Sequence, residues 1–580
     1  MELIKKIIII CLVMVNGLTG NDTTSVMEVD ILNFQEFVQH SDYTLLPVQN
    51  FAFSGAVSNS GLPAFALNYE YNGQSNRDPL FGHLPLAWQN PKYMNLKIST
   101  GDNQINQIPA YHNNETLYSR FDWYRGDYNF GNFGAMIAGR VNDDYLFSLY
   151  GENFNYAGWH GTYTPNPAKA DQSIYQNFGL DIKKIADTYE IEAGFNYKKF
   201  ATGLTGFNIT PVGEENYPTP FFAGHSKRHK KQMYLQFARE DSTGSLKIGG
   251  QVANYDYGHY PIDKINWFSG QGNTNSISGV KKKYLTNDTL SLSLKYDYNG
   301  IYLQDQDEVN NHIYQLAIMN RGYRFQTGYG FRLGLKNNHP QLKIEIEKSL
   351  FDFLRTGITV DYDHFQYPAL YAIFTGNDSS PISKDEFFHY NQNSVFVRFR
   401  TNYFKMTTAI DQINSDFYRP HQNTLADSAV GYRKIQMQDI FLKTQLQFQF
   451  KTGTDIYGKF YYSPTLTEDE FFNFHCYGAI QQKLSLFHGN LNLYVRASGG
   501  YYHGGDGLAW MDELQTVGTI GQNYYTNEPL FFSGKAGFRV GSLHIFYQIN
   551  NIEGRDYSLM PGMPLQSRLK ILGVEWYFLN

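Results

Sequence analysis

The sequence predicts an all-β fold, a transmembrane antiparallel β-barrel of about 22 strands (range about 18 to 24), with short turns at one end and long loops at the other. Three observations predict it. The 580 residues are 17% aromatic, mostly 46 Tyr and 44 Phe, yet the mean hydropathy is -0.44. Rings spread through a polar chain call for strands with two unlike faces. From about residue 115 onward, runs of roughly ten residues alternate apolar and polar side chains with period two. The connections between runs are either a few residues or long polar stretches.

The N-terminus comes first. MELIKKIIIICLVMVNGLTG places Lys5 and Lys6 before an apolar run from Ile7 to Val15, then small and polar residues. That order is a secretory signal over 1–20, with cleavage after Gly17 or Gly20, and the run is too short to span a bilayer. Cys11 has no small residue before it and sits inside the run, which argues against a lipoprotein. Removal of the signal leaves Cys476 alone, so no intramolecular disulfide forms. No later apolar run reaches ~18 residues, so membrane crossing, if any, is by strands.

Residues 21–114 are expected to form an N-terminal periplasmic or lumenal segment, a reduced plug or the first strands, and 115–580 the barrel. Within the barrel, QLKIEIEK sets Leu342, Ile344 and Ile346 against Lys343, Glu345 and Glu347. SVFVRFR sets Val395, Val397 and Phe399 against Arg398 and Arg400; LKTQLQFQF sets Leu442, Leu446, Phe448 and Phe450 against Lys443, Gln445, Gln447 and Gln449. In LSLSLKY, Leu290, Leu292 and Leu294 oppose Ser291, Ser293 and Lys295. Lys343, Glu345, Glu347, Arg398, Arg400, Gln445, Gln447 and Gln449 are the lumen-lining candidates, and their mixed signs predict weak ion selectivity. Short turns are expected at Asn299-Gly300, Asn320-Arg321-Gly322, Gly453, His488-Gly489-Asn490 and Gly541-Ser542, with long loops near 254–286, 365–391, 413–433 and 503–528. Runs of this length exceed the ~5 to 6 residues usual in soluble sheets, which sets the soluble sandwich or propeller in second place.

The last ten residues, ILGVEWYFLN, place Leu572, Val574, Trp576 and Phe578 on one parity. A closed barrel needs its last strand to pair with its first, because unpaired backbone in hydrocarbon costs several kcal/mol per group. These four side chains are then expected to face lipid. The stretch 550–578, with Asn550, Asn551, Tyr557, Pro561-Gly562, Gly573-Val574, Trp576 and Phe578, resembles the end of TonB-dependent receptor barrels and of related porin families of Gram-negative outer membranes. It is also similar to the aromatic insertion signal read by the barrel-assembly machinery. Leu579 and Asn580 after the aromatic, and Met563 after Pro-Gly, depart from the commonest family pattern. The resemblance implies an outer-membrane location, lipid and lipopolysaccharide as surroundings, and TonB as a partner only if a plug and a coupling box are present. TTSVMEVD (23–30) and MNLKISTGD (94–102) are faint matches to a coupling box and a plug strand; GLPAFALNYEYNGQ is more like the N-terminal part of the porins.

Charge and motifs exclude other classes. The net charge is -6, and SKRHKKQ (226–232) and KKK (281–283) read as short solvated loops within reach of anionic lipid head groups, not a nucleic-acid face. No G-x-S-x-G, H-E-x-x-H or paired-Cys pattern occurs, so no catalytic residue, cofactor or metal is expected and the chain reads as a non-enzyme. His225, His229, His488 and His503 fall in loop-like sequence, and DQDE (305–308) and TEDE (467–470) lack the spaced ligands of a Ca²⁺ loop. Trp159, Trp267 and Trp510 lie in loop-like stretches where they could contact a ligand or anchor at the interface. The leading expectation is a porin-like channel for passive diffusion of small hydrophilic solutes. The alternatives are a TonB-dependent transporter with a reduced plug and a secreted glycan-binding β-protein.

Overall fold

The computed structural model describes residues 68–579 apart from 83, parts of 85–92, 100–103, 113–115, 157–172, 213–214, 262–267, 287, 305–307, 325–326, parts of 374–385, 424–429, 466–471, 505–506, 512–515, 522–529 and 555–567. One antiparallel sheet runs in chain order from Tyr118–Gly126 and closes where the last strand, Leu569–Leu579, pairs with that first one, from Ile571 opposite Gly126 to Leu579 opposite Tyr118. Of its 24 strands, Leu508–Met511 and Thr516–Ile520 form a side hairpin, because Leu491–Gly504 pairs directly with Leu530–Val540; 22 strands make the wall. Closure leaves no edge, which is what a sheet in hydrocarbon requires.

The two faces are inverted relative to a soluble protein. Leu290, Leu292 and Leu294 are 43%, 43% and 55% exposed, whereas Lys343, Glu345 and Glu347 are 5%, 6% and 4% exposed. Apolar side chains out and charged ones in is the pattern of a barrel in lipid, and it removes the physical basis of the soluble glycan-binding alternative. A chain of rings follows the outer wall at one end: Phe351 on Phe353, Phe353 on Phe399, Phe399 on Phe404, Phe404 on Phe448, with centroids 4.3 to 5.4 Å apart. Trp576 and Phe578 add a further pair at 4.5 Å. Such a belt is where amphipathic rings settle at a membrane interface.

The ring-lined end is also the end of tight connections, two to four residues each, from 143–144 to 541–542. The opposite end carries the long ones, including 157–172, 367–386, 505–529 and 551–568. Several expected boundaries are corrected. Asn299-Gly300 lies inside the strand Asp288–Leu303, Asn320-Arg321-Gly322 inside Val309–Arg324, and SKRHKKQ inside the 27-residue strand Glu215–Asp241. Most of 254–286 is likewise strand. The reason is that these strands run on past the lipid-facing band into polar sequence, where alternation continues without apolar residues to mark it.

A second sheet, separate from the wall, has the order Gln74–Ser75, Asn68–Tyr71, Gln104–Pro109, Met94–Ser99. Asn68–Tyr71 and Gln104–Pro109 are parallel, and the other pairings antiparallel. None of these four strands belongs to the barrel sheet, so of the two expectations for this segment, first wall strands are not what residues 68–109 form.

Candidate functional site

Residues 68–111 are bonded to the inward face of the wall, and the contacts are mostly polar. Glu70 pairs with Lys295 at 3.3 Å. The Tyr71 hydroxyl donates to Asp181 at 3.1 Å, the Tyr111 hydroxyl to Glu192 at 2.9 Å, and the wall's own Tyr234 donates to Asp181 at 2.8 Å. Burial pushes the Tyr71 and Tyr111 hydroxyls far above the usual tyrosine range, so both remain proton donors. Tyr93 stacks on Tyr150 at 5.9 Å and donates to Asp122 at 2.7 Å. The Gln74 amide donates to the Ser278 hydroxyl at 2.7 Å.

Two buried lysines of neighbouring strands hold the centre. Lys198 donates to the Trp88 carbonyl at 2.7 Å and to Gln107 at 3.2 Å; Gln107 accepts from the Asn76 amide at 3.1 Å; and Lys230 donates to Asn76. Asn76, Gln107, Lys198 and Lys230 are 0% to 1% exposed. Unpaired, each ammonium would carry a desolvation cost of several kcal/mol, so the lumenal segment completes the wall's polar network.

The loop 76–84 forms the apex. One Asp78 oxygen accepts from the backbone N–H of Leu80 and Phe81 and from the Tyr257 hydroxyl, at 3.0 to 3.1 Å, and Arg228 stands 3.6 Å from the other. Burial pushes the Asp78 carboxyl up, and Arg228, the two N–H groups and Tyr257 pull it back. The Arg228 guanidinium also lies 3.4 Å over the Phe81 ring. Burial takes Arg77 down to about 10; its guanidinium donates to the Gly82 carbonyl at 3.0 Å and to the Gln366 carbonyl at 2.5 Å. Beyond the apex, the short helix Ala369–Ile373 folds inward. The Leu370 N–H donates to the Leu80 carbonyl at 3.1 Å, and Leu80, Phe81, Leu370, Tyr371, Phe388 and Met511 join one buried apolar cluster. The side hairpin adds a parallel contact at His421 opposite Thr519.

The residues expected to line the lumen are distributed unevenly. Lys343, Glu345, Glu347 and Arg398 fall into two ion-pair groups: Lys343 meets Glu345 at 2.7 Å, and Arg398 meets Glu347 at 2.6 Å with Arg355 on the same carboxylate at 3.3 Å. Gln445 and Gln447 are half-buried on a distant strand, and Arg400 and Gln449 are exposed at the turn end. Leu572 and Trp576 are exposed outward, Val574 and Phe578 half-buried beside them. Trp159 and Trp267 lie outside the described residues, and of Trp510 only the backbone, in Leu508–Met511, is described. The segment 23–30 also lies outside them. The site residues that sequence reading missed are Asp78, Lys198, Arg228 and Lys230. One signal was present: Arg228, Lys230, Gln232 and Tyr234 share a parity opposite to the apolar Met233, Leu235 and Phe237.

No protein-family model and no curated protein matches the chain by sequence. Solved structures match by shape. The siderophore receptor PirA from Acinetobacter baumannii superposes with TM-score 0.67 at 8% identity, over 90% of this chain and 92% of its own. The copper transporter OprC gives 0.67 at 10% identity, over 89% and 91%, and the FrpB iron transporter from Neisseria meningitidis gives 0.66 at 9%, over 90% and 92%. From Tyr118 onward the barrel is 463 of 580 residues, so a 90% match takes in part of the N-terminal segment as well. The chain shares the fold of these receptors and transporters, a closed antiparallel barrel with a 22-stranded wall.

Proposed function

We propose that the protein is an energised, ligand-specific transporter of the outer membrane of a Gram-negative bacterium, with residues 68–111 as a reduced lumenal plug. The observation that carries this reading is the bonded lumen: Lys198, Lys230, Arg228 and Lys295 of the wall are matched by Gln107, Asn76, Asp78 and Glu70 of the segment inside. A passive porin needs a continuous aqueous path, and charged contacts across the lumen work against one. A transporter that opens on demand needs the opposite, a plug held by polar bonds that water can replace when it moves. In this reading the tight turns face the periplasm, TonB or an equivalent supplies the force, and the C-terminal aromatics serve the assembly machinery. The mechanism requires no catalytic group. The ligands named for the structural neighbours, siderophores and copper, suggest a scarce cargo bound on the long-loop side.

The test is planar-bilayer conductance of the intact protein and of a variant lacking 21–114. Silence from the intact protein with large steps from the truncated one is expected. Stable open steps from the intact protein would restore the porin reading.

A further inference from the structure

The heptapeptide SKRHKKQ is split by strand alternation. Arg228 and Lys230 point inward to the plug, while Lys227, His229 and Lys231 take the outward parity that carries Met233, Leu235 and Phe237 into the lipid-facing band. The neighbouring strand Tyr189–Val212 sets Lys199 directly opposite His229. One step toward the turns, Met233 faces Phe195 on one side and Val252 on the other, all exposed and apolar. The bases therefore start at the edge of the apolar band and rise above it by about 13 Å from Lys231 to Lys227.

Among the described residues a single carboxylate, Asp256, offsets this patch. Among the described residues Lys199, Lys227 and Lys231 make no ion pair and no hydrogen bond; Lys227 rests 5.2 Å from the Tyr260 ring, and the His229 Nε2 atom is buried without a hydrogen-bond partner. Across from His229 stands one carboxylate, Asp256, and the outward positions flanking the patch are the neutral Gln176, Gln271 and Asn273. The second basic cluster marks the other edge of the band: Lys281 lies opposite Leu246, and Lys231 opposite Asn254. Eight residues separate those two positions, about 26 Å along the strand, close to the ~25 Å height of such a band.

Ammonium groups that outnumber their one carboxylate at the rim of an apolar wall match one kind of ligand, an anionic phosphate tethered to acyl chains. We infer that Lys199, Lys227 and Lys231 bind the phosphate-bearing headgroup of a lipid in the leaflet on the long-loop side, with its chains along Phe195, Met233 and Val252. The inference rests on the membrane reading of the barrel and is indifferent to whether the lumen conducts.

The experiment is native mass spectrometry of the full chain in detergent, titrated with diphosphorylated lipid A, its dephosphorylated form and inorganic phosphate. Wild type is expected to retain the phosphorylated lipid. A Lys199→Gln/Lys227→Gln/Lys231→Gln variant should bind it more weakly, on the order of a hundredfold for three surface lysines. The charge-matched Lys281→Gln/Lys282→Gln/Lys283→Gln variant should bind it as wild type does. Heat-modifiable migration on gels confirms that each variant is a folded barrel. Equal retention by wild type and the first variant, or equal retention of both lipid forms, would overturn the site. Inorganic phosphate binding as tightly as the lipid would overturn the lipid assignment.

Discussion

Gly134 and Gly249 mark where the wall admits side chains of the segment 68–111. A Cβ at Gly134 would collide with the Tyr93 hydroxyl, and one at Gly249 with the Gln74 amide. Gly134→Ala is therefore expected to unseat Tyr93 from Asp122 and Tyr150 while the wall strand, which gains from a Cβ, stays folded. Limited proteolysis checks this: cleavage within 68–111 should accelerate with barrel migration on gels unchanged, and an unaltered rate would show that the plug is not seated there. Asp78→Ala acts from the other side of the interface. It leaves the Arg228 guanidinium, 1% exposed, without its carboxylate, a loss of about 3–5 kcal/mol for a buried pair broken on one side. Adding Arg228→Met should recover much of the seating, because the buried charge goes with it; a double variant as labile as the single one would mean the apex is held by Phe81 and Leu80 instead. These contacts were not legible in the sequence, since Asn76 and Lys230 are 154 residues apart and nothing local ties them. Parity alone was available, and it separates Arg228 and Lys230 from Lys227 and Lys231 once the segment is read as strand.

Individual strands were legible where a lipid-facing side chain recurs at every second position, as in Leu290, Leu292 and Leu294, and ambiguous where a strand leaves the band. Asn299-Gly300 has the composition of a hairpin turn, yet Asp297, Asn299 and Ile301 continue one buried face through it. The closing strand Leu569–Leu579 was read correctly as a strand because apolar and aromatic residues persist to its end. Its Trp576 lies opposite Phe121, Val574 opposite Trp123, and the Glu575 carboxylate on the inward face accepts from Tyr124 at 2.6 Å and Tyr577 at 2.8 Å. Trp576→Ala/Phe578→Ala removes outward rings without touching those inward bonds or the backbone ladder. The expected result is a several-fold lower yield of folded barrel in membranes with unaltered thermal stability of what does fold. Reduced stability with normal yield would assign the two rings to packing and not to assembly.

At the scale of the whole molecule, the relation between plug and wall decides between a pore and a pump-driven gate. Composition and periodicity predict the barrel, but a lumen's occupancy depends on contacts between residues far apart in sequence, such as Glu70 with Lys295. Strand alternation also says nothing about what the inward charges meet. Mixed inward charge reads as weak selectivity in an empty channel; here Lys198, Lys230 and Arg228 are instead bonded to the segment inside. Pinning that segment separates the two mechanisms. Gln74 and Ser278 approach through a 2.7 Å side-chain hydrogen bond, so cysteines at both, in a Cys476→Ser background, can be bridged by a short reducible bis-thiol reagent. If transport requires plug displacement, bridged cells lose cargo uptake and regain it on reduction, while the barrel keeps its migration on gels. A passive channel around a fixed plug would transport equally well bridged or reduced, because none of its path depends on Gln74 leaving Ser278.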